Sequence, residues 1–420
     1  MQKPYSSGLG SGWIKGPFSA VLKGGNQVSP GEEPSLGDLC ICDGLLSDTC
    51  GDSPSELDVS GLLVFPSAIN AHDHLLGSWA PKLGHGPYQN VYEWLELLHA
   101  PDHALRMERD DNPGNEVYML GAYKNIASGA ASVVDHYMRK EDDFFEQYPV
   151  RIFHYFGRTW TMRAETGWGG TIEEELKIAG DTLPYVIHIS EGVDEETRGE
   201  LRRLAERGGV RSNSLLVHGV AFDGADLDIV AEAGASVVWC PASNMFLYEQ
   251  TLGVQEALDR GVNICLGTDS ALSGSSNIFE EARFGADVYR KVNGRPIDGN
   301  VLFEMLTCAA AKALQVDNEL GRLQTGFLAD VLVTQSTCDD PVMSFIETRP
   351  RDIDLLLVGG KPAFGSARHR DYFERLCERY SSVSVDGEEK LVVGDLNGLL
   401  DGIDKRFGSK KNLPFLPFDR

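Results

Sequence analysis

The stretch GLLVFPSAINAHDHL occupies residues 61–75 and joins a short apolar run to two closely spaced histidines. The apolar run at residues 62–65 has the length of a buried strand. In an extended segment alternate side chains point the same way, so His72 and His74 face one site while Asp73 faces away. Two imidazoles at this spacing begin a site for a divalent metal ion. Because two histidines do not complete such a site, further ligands must come from the rest of the chain.

The composition is that of an acidic globular protein. The chain has 420 residues, a formal net charge of −25 and 42% hydrophobic residues. A surface with this charge repels phosphates, which argues against nucleic acid or an anionic membrane as a partner. The sequence has neither an apolar N-terminal core of signal-peptide length nor an apolar run of the ~20 residues that span a bilayer. These features predict a cytoplasmic protein.

The eight cysteines are scattered and show no C-x-x-C spacing. This pattern is more typical of reduced thiols in a cytoplasmic protein than of a disulfide framework. Cys40 and Cys42 would lie on one face of a strand, and no neighbouring residues complete a zinc site with them. We interpret both as small core residues.

Strand and helix signals alternate through the middle of the chain. Apolar runs typical of buried strands occur at residues 132–135, 150–156, 185–189, 215–218, 236–240 and 263–267, with helical patterns between most of them. Repeated β-α units predict a parallel sheet, and a (β/α)8 TIM-like barrel fits best. Residues 157–183 carry little strand pattern, so we expect one barrel strand there to be very short.

Short strands with glycine turns flank this region on both sides. We expect the pieces from the two ends of the chain to pair into one small β-sandwich domain. The predicted division is residues 1–64 and 321–366 for the sandwich, 65–320 for the barrel and 367–420 for a C-terminal extension. In the extension we expect a helix at residues 372–379 and a loop-rich tail.

Further candidate ligands stand where predicted strands end, which is where barrel enzymes keep their working groups. They are His188, Glu191, His218 and Asp269. Taken singly, each has a structural alternative: a histidine in an apolar strand is usually a core residue, Asp269 could cap a helix, and Glu191 could begin a polar loop. Together with His72 and His74 they make four imidazoles and two carboxylates at strand ends, and this joint occurrence favours a functional site.

These motifs also resemble a known family. The matching segments lie in unbroken order at residues 66–74, 129–135, 188–191, 216–219, 240–244, 252–254, 266–270, 306–314 and 321–333. The chain resembles the amidohydrolase superfamily, and within it the branch of cytosine, guanine and adenosine-type deaminases and triazine hydrolases. The resemblance runs from about residue 59 to residue 360.

The resemblance implies a role for each candidate. His72, His74, His188 and Asp269 would bind the metal, and Asp269 could also take a proton from the metal-bound water. Glu191 would be the proton shuttle, and His218 would polarise the water or the substrate.

One divalent ion, zinc in the first place and iron as the alternative, suits this set. A two-metal centre with a carboxylated lysine is the rival within the superfamily. The relevant part of the chain offers only Lys140 and Lys177, both in helix-like surroundings, so we expect one metal.

The resemblance further implies a hydrolase of carbon–nitrogen bonds other than peptide bonds. We expect an aminohydrolase that deaminates a small nitrogen heterocycle. The alternatives are opening of a cyclic amide, displacement of another ring substituent, or a non-catalytic scaffold, which the complete ligand set disfavours. The partner is therefore a small-molecule substrate, and a homo-oligomer is left open.

Several residues near the expected barrel mouth are candidates for substrate contact. Trp79, His85 and Tyr88 follow the first strand, and Arg158 follows the third. An arginine there could hold a carboxylate or carbonyl of the substrate, or equally form an exposed ion pair. His136 and Arg139 follow the second strand and are weaker candidates.

Overall fold

A computed structural model of the chain contains one large mixed sheet and two smaller parallel sheets. It describes all residues except 1, 2, 10–12, 14–17, 52, 80, 101–113, 142, 164–168 and 420.

The strands are numbered in chain order. Those of the first half are β1 (Ser19–Gln27), β2 (Ser35–Cys42), β3 (Leu45–Ser47), β4 (Ser55–Asp58), β5 (Leu63–Pro66), β6 (Ala68–Asp73), β7 (Ala130–Asp135), β8 (Arg151–Phe153) and β9 (Gly157–Thr159). Those of the second half are β10 (Tyr185–Ile189), β11 (Ser214–His218), β12 (Ser236–Trp239), β13 (Asn263–Leu266), β14 (Val331–Thr334), β15 (Ile353–Val358), β16 (Lys361–Ser366), β17 (Tyr380–Val385) and β18 (Glu388–Val393).

The α-helices lie between and after these strands. They span Val91–Leu98, Gly114–Ile126, Ile172–Ala179, Glu195–Arg198, Glu200–Glu206, Gly224–Ala233, Pro241–Tyr248, Val254–Asp259, Ile278–Asn293, Gly299–Leu306, Cys308–Ala313, Pro341–Ile346, Arg370–Leu376 and Leu396–Phe407. Short 3-10 helices span Leu75–Trp79, Phe144–Gln147, Pro350–Asp352 and Ala367–His369.

The large sheet joins the two ends of the chain. Its strand order is β17-β18-β16-β15-β14-β5-β1-β2-β3, with β4 beside β1. The junction is the antiparallel pair β5 and β14, in which Val64 lies opposite Val333. The expected pairing of strands from both ends is therefore present in one ten-stranded sheet. The sandwich packing of this sheet and the domain boundaries stay predictions.

The two parallel sheets have the orders β6-β7-β8 and β9-β10-β11-β12-β13. The loop after β13 reaches β6, because the Asp269 backbone N–H donates to the His72 carbonyl at 3.0 Å. A glycine is needed at this approach: a Cβ on Gly267 would lie 2.6 Å from the Cβ of His72. The fold is thus α/β with parallel sheets, as predicted, while closure into a barrel stays a prediction.

The weakly patterned region after residue 156 does contain a very short strand, as predicted. β8 and β9 have three residues each, and only residues 154–156 separate them. No helix intervenes, so one strand follows directly on the other. The chain's N-terminal segment lies along β8, where Tyr5 bridges Phe153 in antiparallel fashion.

Two expectations are wrong. Residues beyond 379 are not a loop-rich tail: β17 and β18 form an antiparallel pair that extends the large sheet, and the helix Leu396–Phe407 follows. Their alternating pattern is short and polar on one face, which concealed it. Cys40 is buried, as expected, but it is not a reduced thiol, because it forms a disulfide with Cys50 in the loop after β3.

The other six cysteines take no part in a disulfide. Of the helices in the described part of the chain, none combines the length and the apolar character that crossing a membrane requires.

Candidate metal centre

The end of β6 presents its side chains alternately, as the sequence predicts. The Nε2 atoms of His72 and His74 point to a common site, where both lie near His188. Asp73, between them, faces away and forms a fully buried ion pair with Lys124 at 2.7 Å. The Asp73 carboxylate therefore stabilises the strand on the side away from the site, and the two imidazoles face the site.

Four predicted donors converge within the spacing of ligands to a single ion. His188 Nε2 lies 3.2 Å from His72 Nε2 and 3.3 Å from His74 Nε2. Asp269 Oδ1 lies 3.3 Å from His74 Nε2 and 3.8 Å from His72 Nε2. Tetrahedral ligands at the usual zinc distances are separated by about 3.3 Å. The residues present therefore fit a divalent ion.

Neighbouring groups orient two of these donors. His188 Nδ1 donates to the Trp160 carbonyl at 2.7 Å, which leaves Nε2 with its lone pair towards the site. The hydroxyls of Ser243 and Ser273 donate to Asp269 Oδ2 at 2.6 and 3.1 Å. This arrangement leaves Oδ1 of the carboxylate towards the imidazoles.

Glu191 and His218 form a second, adjacent pair. His218 Nε2 lies 3.6 Å from Glu191 Oε1. His218 Nδ1 donates to Asn244 Oδ1 at 2.9 Å, so the ring is held with Nε2 towards the carboxyl group. The Tyr248 hydroxyl donates to Glu191 Oε1 at 2.9 Å. Both groups are buried, and each has one partner outside the donor set.

The electrostatics differ among the carboxyl groups. Burial raises the pKa of Glu191 well above its usual range, and the nearby charge of Asp269 adds to this effect. For Asp269 burial acts in the same direction, but the hydrogen bond with His74 and the charge of His218 outweigh it and hold its pKa well below the usual range. Glu191 is therefore suited to carry a proton, whereas Asp269 is suited to remain an anion.

Burial lowers the pKa of His72 and of His188 well below the usual range, and neighbouring imidazoles reinforce the shift. Neutral imidazole is the form that binds a metal ion.

An apolar layer covers Glu191. The segment that runs from Leu83 into the helix Val91–Leu98 is fixed by main-chain hydrogen bonds to the segments that follow β10, β12 and β13. They are Val91 N–H to Glu191 O at 3.0 Å, Tyr88 N–H to Leu247 O at 2.7 Å, and Leu83 N–H to Leu272 O at 2.8 Å. Its side chains form an apolar cluster that includes Leu83, Val91, Tyr92, Trp94, Leu95, Val220, Leu247, Tyr248 and Leu272.

The structure does not gather the four predicted substrate contacts around the donors. Trp79 packs against Phe407 of the C-terminal part, and His85 is exposed. Tyr88 packs against the apolar cluster. Arg158 is buried, and its guanidinium donates to the carbonyls of Tyr137 and His154. Substrate contact by these residues stays a prediction.

Sequence reasoning gave no role to the residues that orient the site. Ser243, Asn244 and Tyr248 share the helix Pro241–Tyr248 and contact Asp269, His218 and Glu191 respectively. The segment that contains Ser243 and Asn244 was visible as a motif, but its partners depend on tertiary contacts. Polar residues at the start of an otherwise buried helix were the available signal.

Comparison with known proteins agrees with the fold. The amidohydrolase family model matches residues 181–363. A 5-methylthioadenosine/S-adenosylhomocysteine deaminase of Archaeoglobus fulgidus is 28% identical over 358 residues, which cover 70% of this chain and 81% of the relative.

Among solved structures, a zinc-bound adenosine deaminase from Xanthomonas campestris superposes with a TM-score of 0.67 at 17% identity and covers 93% of this chain and 98% of its own. The zinc complex of an atrazine chlorohydrolase from Arthrobacter aurescens gives 0.69 at 16% identity, with coverage of 92% and 99%. These likenesses concern the fold.

The matches and the strand-end residues define the class of the protein: a metal-dependent hydrolase that acts on carbon–nitrogen bonds. The resemblance to amidohydrolases that the motifs predicted agrees with the match of the family model to residues 181–363.

Proposed function

We propose that the chain is an aminohydrolase that uses one divalent metal ion, with zinc as the first choice, to deaminate an aminopurine nucleoside. The observation that carries this proposal is the Glu191–His218 pair, 3.6 Å apart, beside four converging donor groups. Such a pair separates proton transfer from metal binding, which deamination requires because the amine must leave protonated.

The protein's own groups divide the work. His72, His74, His188 and Asp269 would hold the ion, and a bound divalent ion supplies the Lewis acidity that makes water a nucleophile near neutral pH. Glu191, whose pKa is raised by burial, can donate its proton to a ring nitrogen. It can then take up the proton that the attacking water releases and pass this second proton to the departing amine. His218 donates through Nδ1 to Asn244, so its Nε2 can accept a hydrogen bond from the attacking water.

The substrate class is supported by the covering layer and by the relative. Apolar and aromatic side chains packed next to Glu191 offer surfaces against which a purine ring can stack. The Archaeoglobus fulgidus relative is named for deamination of two adenosine derivatives.

Replacement of Glu191 by Gln tests the assigned proton shuttle. The amide keeps the shape of the side chain and the hydrogen bond from Tyr248 but cannot transfer a proton. Turnover should therefore fall by about 10²-fold to 10⁴-fold. Metal content, measured by elemental analysis of the same preparation, should stay at the wild-type level. Turnover retained in E191Q would contradict the role, and loss of metal would show that Glu191 is a ligand instead.

Ammonia release with a panel of adenosine derivatives, free purines, pyrimidines, triazines and cyclic amides tests the reaction. We expect ammonia from aminopurine nucleosides. If the cyclic amides open and no amine releases ammonia, the proposed deamination is wrong although the site is shared. Protein without stoichiometric metal and without turnover on the panel would favour a scaffold.

We also propose a cytoplasmic location and the domain division predicted from the sequence. The pairing of both chain ends in one sheet supports a β domain built from both of them.

A further inference from the structure

A fifth imidazole stands beside the candidate metal centre. His136 follows β7 directly and is fully buried. Its backbone N–H donates at 3.0 Å to the carbonyl of Asp73, the residue between His72 and His74. This hydrogen bond joins the end of β7 to the end of β6. It therefore fixes the position of His136 beside the proposed ligands.

The ring of His136 lies at ligand-to-ligand spacing from two of the proposed ligands. Its centroid is 4.6 Å from that of His188 and 5.4 Å from that of His72. Imidazoles bound to one ion at usual zinc–nitrogen distances have centroids roughly 4.5–5.5 Å apart. Ligand atoms of His72, His136 and His188 all lie within 4.8 Å of one another. This triangle shares His72 with a second one formed with His74 and Asp269.

Several buried imidazoles converge on one place beside the end of β7. Each neutral ring carries a nitrogen lone pair, which is the group that binds a divalent ion. A cation at the centre would interact with several of these lone pairs at once.

We propose that His136 is a further ligand of the metal centre, so that one divalent ion is bound by four imidazoles and the carboxylate of Asp269. This inference rests on the proposed metal site and extends it, because the superfamily motifs place no ligand after the second strand. Five protein donors and one open position would make a six-coordinate site.

Loading of the full chain with Co²⁺ alone tests the proposal without reference to activity. Six-coordinate Co²⁺ absorbs visible light weakly, and removal of a ligand strengthens and shifts its bands. In H136Q we expect stronger bands and Co²⁺ affinity lowered by about 10-fold to 100-fold or more, measured by competition with a metal-binding dye. H154Q is the matched control, because His154 is also buried and follows β8; it should behave as the wild type.

An H136Q spectrum and affinity equal to those of the wild type would overturn the proposal. H188Q separates this failure from failure of the metal site itself: if H188Q also binds Co²⁺ as the wild type does, the proposed site is wrong, and His136 falls with it.

A second measurement needs no variant and decides the matter if H136Q fails to fold. In a crystal structure of the Co²⁺-loaded protein, with the ion located by its anomalous scattering, a His136 ring nitrogen should lie about 2.1 Å from the ion. A separation beyond about 3 Å would exclude ligation.

Discussion

Three residues of the site have backbone angles that side chains rarely adopt. The φ angles of Ser190, His218 and Asp269 are 51°, 78° and 55°. Such conformations cost about 1–3 kcal/mol each and persist only where the surroundings enforce them. Ser190 directly follows β10, His218 ends β11, and Asp269 lies in the loop after β13. At these positions a substitution tests the role of the side chain only if the new residue keeps the same backbone conformation.

Glu281 is buried behind the site and gives a prediction about stability. Its carboxyl accepts from the backbone N–H of Ala242 at 2.8 Å, and burial raises its pKa from 4.5 to about 8. The folded state thus holds a proton that the unfolded state has released between these pH values. Stability should fall as pH rises from about 4.5 to about 8.

Thermal unfolding measured between pH 5 and pH 9 should show this loss in the wild type and a flatter profile in E281Q, whose amide does not ionise. E280Q is the control, since Glu280 is the exposed neighbour on the same helix. Parallel profiles for all three proteins would contradict the assignment.

The helix Pro241–Tyr248 organises the site as an element. It begins with a proline in its first turn and supplies the partners of Asp269, His218 and Glu191. The carboxyl group of Glu281 accepts a hydrogen bond from the backbone N–H of Ala242 and so holds the first turn of this helix in place. One short helix thereby couples the anionic ligand to both groups proposed for proton transfer.

Replacement of Tyr248 by Phe tests this coupling. The lost hydroxyl stabilises ionised Glu191, so the pKa of Glu191 should rise further, and the limb of the pH profile of kcat/KM that it controls should move to higher pH. A hydrogen bond to a charged group corresponds to a shift on the order of one to two pH units. Y185F is the control, because the Tyr185 hydroxyl bonds to Thr159 instead. Identical profiles in Y248F and the wild type would show that the contact is not used.

The elements differ in how far sequence could predict them. The position of His72 and His74 followed from the period of two in a strand, and the gathering of His188, His218 and Asp269 followed from the common edge of parallel strands. The orienting residues did not follow, because Asn244 and Tyr248 acquire their roles only when one helix packs above other strands. Nor did the pairing of Cys40 with Cys50, which depends on a loop returning to β2.

At the scale of the whole molecule, the direct succession of β8 and β9 is the main departure from regular β-α alternation. With no helix between these strands, the N-terminal segment lies against β8, and Ser6 N–H donates to the Ile152 carbonyl at 2.8 Å. Sequence pattern showed the weak strand but not this contact, because it joins residues almost 150 positions apart. Such long-range contacts depend on which edge of a strand other elements leave uncovered in the folded chain.

A buried ion pair connects the parallel strands to the large sheet and gives the last prediction. Arg151 of β8 donates to both carboxylate oxygens of Asp330, just before β14, at 3.0 and 2.9 Å, and both side chains are at most 3% exposed. Removal of one partner leaves the other charge buried, which costs about 3–5 kcal/mol. Removal of both leaves no such charge. R151M should therefore lower the unfolding temperature strongly, and R151M/D330N should lower it by much less than the sum of the two single changes.

The exposed pair of Arg379 and Asp395 is the matched control, since its side chains are 70% and 51% exposed. Solvent screens such a pair, so R379M should change stability by less than about 1 kcal/mol. Additive losses in the buried cycle, measured by thermal unfolding of the full chain, would mean that the two charges do not depend on one another. If the double change at Arg151 and Asp330 costs less than the sum of the single changes, while the exposed pair shows no such difference, the buried ion pair links the large sheet to the parallel strands.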